Sequence, residues 1–275
     1  MSGAAVIATV GANALRSVKH AIEGALFRVR DETHRFGDTS FTVHIADKTA
    51  ALWYGHDWDK PTDFALLAGH GLQPGARVFD LGAHQGVIAM MLAQTVGPAG
   101  AVIAVEANAR NNAIGMRNAS VNGLNNIRHL FAAVARNDGP ILFSARANGA
   151  VALSKLAYKP VKVEGVSIDT LSTRYGFPDL VYLDIEGFEV EALKGAPLTL
   201  RSSTSWLIEA HGDAMLAPYG ACNADIVAFF GDDFSLFWSP NNETTPFAPL
   251  DRARGLPPER VFLIAIKIVA TGDPI

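Results

Sequence analysis

Cysteine is almost missing from this chain. Among 275 residues there is one, Cys222, which excludes an internal disulfide and any multi-cysteine zinc or iron–sulfur centre. That suits a reducing compartment, and a cytoplasmic location is the expectation. A lysine- or arginine-rich block is also missing, and the net charge is −4, so no nucleic-acid partner is expected. No stretch reaches the roughly 18–20 apolar residues of a membrane span. The apolar run 4–10 is short and follows no basic residue, unlike a signal peptide. Internal repeats and low-complexity segments are absent too.

What is present is an ordinary globular composition, 49% apolar and 18% charged, with ample material for a core. Ile7, Val10, Ala14, Val18, Ile22 and Leu26 recur at helical spacing, with Arg16, Lys19, Arg28 and Arg30 between them. Such an amphipathic helix packs on its own domain or on a second subunit, so a homo-oligomer joined through it is one expectation. Membrane-surface binding by its basic face is the sharper alternative. Residues 1–71 are read as an N-terminal extension of helix, strand and lid, and 72–275 as one α/β domain.

Strands are expected at 41–45, 77–81, 101–106, 127–135, 141–144, 161–166, 180–184, 205–210, 234–238 and 260–269. Helices are expected at 62–71, 86–96, 108–121, 168–175, 188–193 and 223–230. Alternation of this kind predicts a parallel sheet with helices on both faces. The last two strands are joined by the proline-rich segment 239–258, read as a surface loop, with no helix between them. A hairpin pairs only antiparallel, so the sheet is expected to be mostly parallel with an antiparallel last strand.

The most informative run is Val78-Phe79-Asp80-Leu81-Gly82-Ala83-His84-Gln85-Gly86. An apolar strand ends on a carboxylate, and two glycines four residues apart lead into a helix. Glycine lets the backbone of such a turn approach a nucleoside-like ligand closely. A dinucleotide fingerprint would add a middle glycine. Its absence, and Asp80 beside the turn, point away from a phosphate and toward a cationic ligand with an amino group, such as S-adenosylmethionine. Asp80 is expected to order the turn and meet that amino group, although Asp is also a good helix cap. His84 is read as a structural histidine or a contact for the carboxylate end of the ligand. Glu106 closes the next strand, where a carboxylate accepts two hydrogen bonds from a ribose diol.

Two further clusters end on strands. In Tyr182-Leu183-Asp184-Ile185-Glu186-Gly187-Phe188-Glu189 a strand again ends on Asp and a glycine turn leads to a helix. Glu186 and Glu189 also suit a helix N-terminus electrostatically. In Trp206-Leu207-Ile208-Glu209-Ala210-His211 a carboxylate and an imidazole sit two residues apart, on one face of an extended strand. Asp184, Glu209 and His211 are therefore candidates for a general base, or for ligands of a divalent metal. Tyr54, His56, Asp57 and Trp58 read either as a lid over the crevice or as a packed segment. Cys222 reads as an inert small apolar residue.

Taken with Val105-Glu106-Ala107-Asn108 and Leu193-Lys194-Gly195-Ala196, these runs resemble the FkbM-type family of S-adenosylmethionine-dependent methyltransferases from about Arg77 to His211. The Asp-x-Glu-Gly-x-Glu block followed by Leu-x-Gly-Ala is the specific part. The resemblance implies a seven-stranded Rossmann-like sheet and O-methylation of a hydroxyl, on a small molecule, sugar or secondary metabolite, with a small-molecule or glycan acceptor as partner. It implies cofactor contacts at Asp80, Gly82, Gly86 and Glu106, with Ala83, His84, Ala107 and Asp184 in the same expected set. It puts Asp184, Glu186 and Glu209 on the substrate side; with His211 these are the expected catalytic residues. S-adenosylmethionine is the expected cofactor, and a divalent metal at Asp184, Glu209 and His211 is a further reading that the resemblance does not itself support. Two departures are His84, where the family usually has Asn, and Tyr182, where it usually has Lys. A nicotinamide-dependent oxidoreductase and a non-catalytic binding protein of the same fold are the rival readings.

Overall fold

The computed structural model describes residues 27–144, 150–151, 160–242 and 244–268. The expected amphipathic helix over 7–26 lies outside them. The described chain starts with a hairpin, β1 (Arg30–Phe36) and β2 (Thr39–Ile45), paired antiparallel from Arg30↔Ile45 to Phe36↔Thr39. Arg30 therefore sits on a strand, not on the basic face of a helix. The reason is local: Phe41, Val43 and Ile45 alternate on one buried face with Phe36 across a Gly37-Asp38 turn, and Gly37 takes the positive φ that turn needs. Helix α1 (Lys48–Tyr54) follows, its N-terminus capped by Asp47, which accepts from the Ala50 amide at 2.9 Å. Helix α2 (Thr62–Leu67) ends earlier than expected, ahead of Gly69 and Gly71.

The main sheet then builds up by alternation. In chain order it contains β3 (Arg77–Leu81), α3 (Val87–Val96), β4 (Ala101–Glu106), α4 (Ala109–Val121) and β5 (Ile127–Phe131). The strand expected over 127–135 breaks at Ala132, and β6 (Ala133–Val134) leaves for a second sheet with β7 (Gly139–Ser144), β8 (Ala150–Val151) and β9 (Pro160–Val166), ordered β6-β9-β7-β8. The chain returns through α5 (Ile168–Tyr175), β10 (Leu180–Leu183), α6 (Glu189–Lys194), β11 (Ser205–Ala210), α7 (Asp213–Leu216), α8 (Asn223–Val227), β12 (Phe234–Ser239), β13 (Ala248–Pro249) and β14 (Val261–Lys267).

The order across the main sheet is β13-β12-β14-β11-β10-β3-β4-β5. It has eight strands where seven are expected. The eighth is β13, two residues of the proline-rich loop that pair with Phe237 and Trp238. The last strand is reversed as expected: β14 inserts between β11 and β12 and runs antiparallel to both. The loop is also not wholly a surface loop. Its Asn242 is buried, receives the Thr62 amide at 2.7 Å on its carbonyl, and donates to Asp63 at 2.8 Å.

Strands β3, β4, β10, β11 and β14 read as nearly continuous apolar runs because both faces of the sheet are covered. One face packs Val78, Ala104, Leu180, Tyr182 and Leu207 against α3, α2 and the hairpin, whose Phe36, Phe41, Val43 and Ile45 share that core. The other packs Phe79, Leu81, Ile103, Leu183 and Ile208 against α5, α6 and α8. Each such aliphatic side chain contributes about 1.5–3 kcal/mol on burial. Tyr182 thus faces a core, 5% exposed. No described helix is long and apolar enough to cross a membrane.

The hairpin is fastened by Asn118 of α4 and by Asn122, which caps the C-terminus of that helix. Asn122 accepts from the Thr42 amide (2.9 Å) and donates to its carbonyl (2.8 Å). The buried Asn118 accepts from the His44 amide (2.8 Å) and donates to the Gln85 carbonyl in the glycine turn (2.8 Å). Asn118→Ala is therefore expected to lower unfolding free energy by about 1–3 kcal/mol in urea titrations and to speed amide exchange at His44. Unchanged exchange there would show that the clamp carries no weight.

Candidate active site

The site is a consequence of register. Leu183 pairs with Leu81 and with Ile208, and Leu81 pairs with Val105. The four strands therefore end level, and the residues that follow, Gly82, Glu106, Asp184 and Glu209, arrive at one edge. The β3 turn is tied to its neighbours by backbone bonds, from Gly82 and Ala83 to the Val105 carbonyl (2.9 and 3.0 Å) and from Asp184 to the Leu81 carbonyl (2.9 Å).

The reason for the two glycines differs from the expected one. Gly82 has φ +98°, and a Cβ there would lie 1.7 Å from the Asp184 carbonyl oxygen. Gly86, at φ +80°, faces the Cα of Gly115 on α4 at 3.0 Å from where its Cβ would be. The missing side chains make room first for neighbouring protein, and only Gly82 also lines the cavity beside the turn. His84 adopts φ +48°, a left-handed conformation in which Asn and His are both enriched among non-glycine residues. Its departure from the family's usual Asn therefore leaves the backbone path intact.

The cavity encloses about 630 Å³ of space, its open mouth included. Glu106, Ala107 and His84 line it on one side, Asp184, Glu186 and Phe188 on the other, with Ala132, Val134 and Phe143 closing an end. Trp53 of α1 forms a wall, its ring centroid 5.1 Å from that of His84. Of the expected lid, Tyr54 is buried and hydrogen-bonds His84 Nδ1 at 2.8 Å, Trp58 packs on Phe36, and His56 and Asp57 are exposed. Ala83, Gly86, Asp80, Glu209 and His211 do not line the cavity. The residues missed from sequence are Trp53, the stretch from Ala132, and Phe143. One continuous strand is expected over 127–135, so nothing local marks the break at Ala132, and nothing local marks the others.

Glu106 accepts the His84 amide (2.8 Å) and the Asn108 amide (2.6 Å), one on each oxygen. Burial nevertheless pushes its carboxyl up to about 7. Asp80 is 2% exposed, its Oδ2 has no hydrogen-bond partner, and burial, then the charge of Glu106, raises it to about 7.

Across the cavity, carboxylates surround His211. Its Nδ1 donates to the Glu189 carboxylate at 2.9 Å. Its Nε2 stands 3.3 Å from Glu209 Oε1, 3.5 Å from Glu186 Oε2 and 3.6 Å from Asp184 Oδ1. Burial opposes a charge on the ring, but the bond to Glu189 and the charges of Glu189, Asp184 and Glu209 outweigh it and push His211 up to about 10. Asp184 is held well above the carboxylate range, by burial first and then by Glu209. Glu209 itself is taken by Arg260, whose Nε donates to Oε1 and whose guanidinium lies over the Phe262 ring. The three groups with donor atoms placed to share one ion are therefore Asp184, Glu186 and His211, with Glu186 in place of the expected Glu209. Glu189, read from sequence as a helix-end charge, is wholly buried and is the partner that orients His211.

The acids at the turn set a pH dependence. A carboxyl raised from 3.8 to about 7 contributes stability fully present below pH 3.8, lost as pH rises through 7. Asp80→Asn is expected to raise the thermal midpoint of the ligand-free protein above wild type at pH 8 and to narrow that advantage toward pH 4. Parallel midpoints across this range in scanning calorimetry would overturn the assignment.

The Methyltransferase FkbM domain family matches residues 80–218. No curated protein is significantly similar to the chain. Among solved structures, it is similar to an FkbM methyltransferase from Methylobacillus flagellatus KT at 18% identity and TM-score 0.45, over 69% of this chain and 43% of that one. The chain thus spans less than half the length of that protein. It is similar to an S-adenosylmethionine-dependent O-methyltransferase from Thermotoga maritima at 14% identity and TM-score 0.45, over 82% and 72% of the two chains. It is also similar to Aeropyrum pernix fibrillarin in complex with S-adenosyl-L-methionine, at 13% and 0.44, over 88% and 85%. With half of its length matched to the family, and on that match rather than on these distant likenesses, the chain belongs to the FkbM methyltransferases, enzymes whose cofactor is S-adenosylmethionine.

Proposed function

We propose that the protein methylates a hydroxyl oxygen of a small molecule, sugar, secondary metabolite or glycan. One observation carries this reading: Glu106 and His84 line the same cavity as Asp184 and Glu186, so a nucleoside-binding end and a proton-accepting end share one space. The residues present fit the cofactor. Glu106 accepts the backbone amides of His84, Asn108 and Ala107, and its remaining acceptor capacity suits a ribose hydroxyl. Asp80, buried behind the turn with one oxygen unpartnered, favours a cationic ligand over a phosphate. Trp53 and Phe143 supply apolar walls. Gly82, Ala83, His84, Gly86 and Ala107 shape the turn around that end.

Bound S-adenosylmethionine supplies an activated sulfonium methyl, so the protein's share is chiefly to align the acceptor oxygen. A neutral hydroxyl is a poor nucleophile and needs a base. Asp184 takes that part in this reading, because it borders the cavity just after β10. Glu186 binds beside it. His211 lies behind both acids; Glu209 anchors the group to Arg260. Residues before about 71 contribute the aromatic wall, and residues from 72 onward the transfer machinery. Family membership does not favour the oxidoreductase or the non-catalytic alternative.

Two measurements test this. In calorimetry, S-adenosylhomocysteine is expected to bind wild type with a dissociation constant on the order of micromolar and to weaken at least about tenfold, roughly 1.4 kcal/mol, in Glu106→Ala. No binding to the folded protein would sink the cofactor placement. With an acceptor found by screening hydroxylated compounds, Asp184→Asn is expected to lower kcat by about 10²–10⁴-fold while S-adenosylhomocysteine still binds. Retained turnover would remove Asp184 as the base.

A further inference from the structure

We propose that Asp184, Glu186 and His211 bind one divalent metal cation. The proposal rests on geometry at His211. Its Nδ1 donates to Glu189, which leaves Nε2 as the ring atom facing Asp184, Glu186 and Glu209. Those oxygens stand 3.6, 3.5 and 3.3 Å away, beyond a good N–H···O bond of about 2.7–3.2 Å. The Asp184 and Glu186 oxygens are, however, separated from Nε2 as two ligands of one ion are separated, given bonds of about 2.0–2.4 Å meeting at somewhat more than a right angle. One donor atom from each of Asp184, Glu186 and His211 lies within 4.8 Å of the others.

A second observation is independent of that spacing. Glu189 is 0% exposed, abuts His211 through Oε1, and has no partner for Oε2. A buried carboxylate with an unmet oxygen calls for positive charge beside it. Arg260 does not supply it, being engaged with Glu209. A carboxylate holding the far nitrogen of a ligating histidine is also the outer-shell arrangement that fixes the tautomer and ring orientation of metal-binding imidazoles. Glu189 is thus a positioning residue, acting through His211.

Two carboxylates and one imidazole suit Mn²⁺, or a similar ion that accepts oxygen and nitrogen and completes its shell with water. Because Asp184 and Glu186 border the cavity, an open position on the ion would face the acceptor. Asp184 offers Oδ1 to the ion and keeps Oδ2 for the hydroxyl proton, and a hydroxyl bound to the ion gives up that proton more readily. This last step rests on the methyltransferase reading; the cation site itself does not.

The test is titration of Mn²⁺ into the chelator-treated full chain, with free Mn²⁺ counted by electron paramagnetic resonance. One ion per chain is expected, with binding lost in Asp184→Asn and in His211→Gln. Glu189→Gln is expected to weaken it by about 10–100-fold. S-adenosylhomocysteine calorimetry on the same samples separates the outcomes. Wild type that binds S-adenosylhomocysteine but no Mn²⁺ overturns the cation site and leaves the proposed function standing. Mn²⁺ bound without S-adenosylhomocysteine upholds the site and sinks the function. Mn²⁺ binding unchanged in all three variants places the ion elsewhere and overturns the proposal.

Discussion

The molecule turns on the abutment of two strand ends. Gly82, leaving β3, lies so close to the carbonyl of Asp184, leaving β10, that any Cβ would collide with it. Because that carbonyl is held by its own strand, the strain could not be relieved by moving one flexible side chain. The contact brings the glycine turn against the acidic turn, and the register of β4 and β11 then places Glu106 and Glu209 at the same edge. A cavity bordered by both turns follows from it.

The site also concentrates charge where water is scarce. Asp80, Glu106, Glu189, Glu209 and His211 are all buried, and a buried acid is costly unless paired. The chain meets that cost unevenly. Glu106 is met by backbone amides and Glu209 by Arg260, whereas Asp80 and Glu189 each keep an unpartnered oxygen. Incomplete satisfaction at two acids, one beside the glycine turn and one beside the acidic turn, is what a site prepared for positively charged ligands looks like.

The wall over this cavity comes from residues ahead of the alternating fold. The hairpin shares a core with β3 and α3, and Asn118 and Asn122 fasten it. Helix α1 is held by the Asp47 cap and by Arg110, which reaches Asp47 at 2.7 Å. Trp53 is thereby set against His84, and Tyr54 bonds to it. The turn is thus braced from the front as well as from the sheet behind it.

Much of this was legible from the chain alone. Strands β3, β4 and β11 and helix α5 fall on the expected residues, because long apolar runs between glycine, asparagine and serine stops are determined locally. The reversed last strand followed from a loop without a helix, and the Asp-x-Glu-Gly-x-Glu block identified the family. Hairpin strand β1, the break at Ala132 and the two-residue β13 were not legible, since short or polar strands are defined by their partners rather than by their own pattern. Only tertiary structure decided that Gly82 makes room for Asp184 and that Trp53 rather than His56 reaches the cavity. It alone decided that Arg260 withdraws Glu209, leaving Glu186 beside Asp184 and His211. Each depends on how strands far apart in sequence come to lie side by side, and no local window of residues contains that distance.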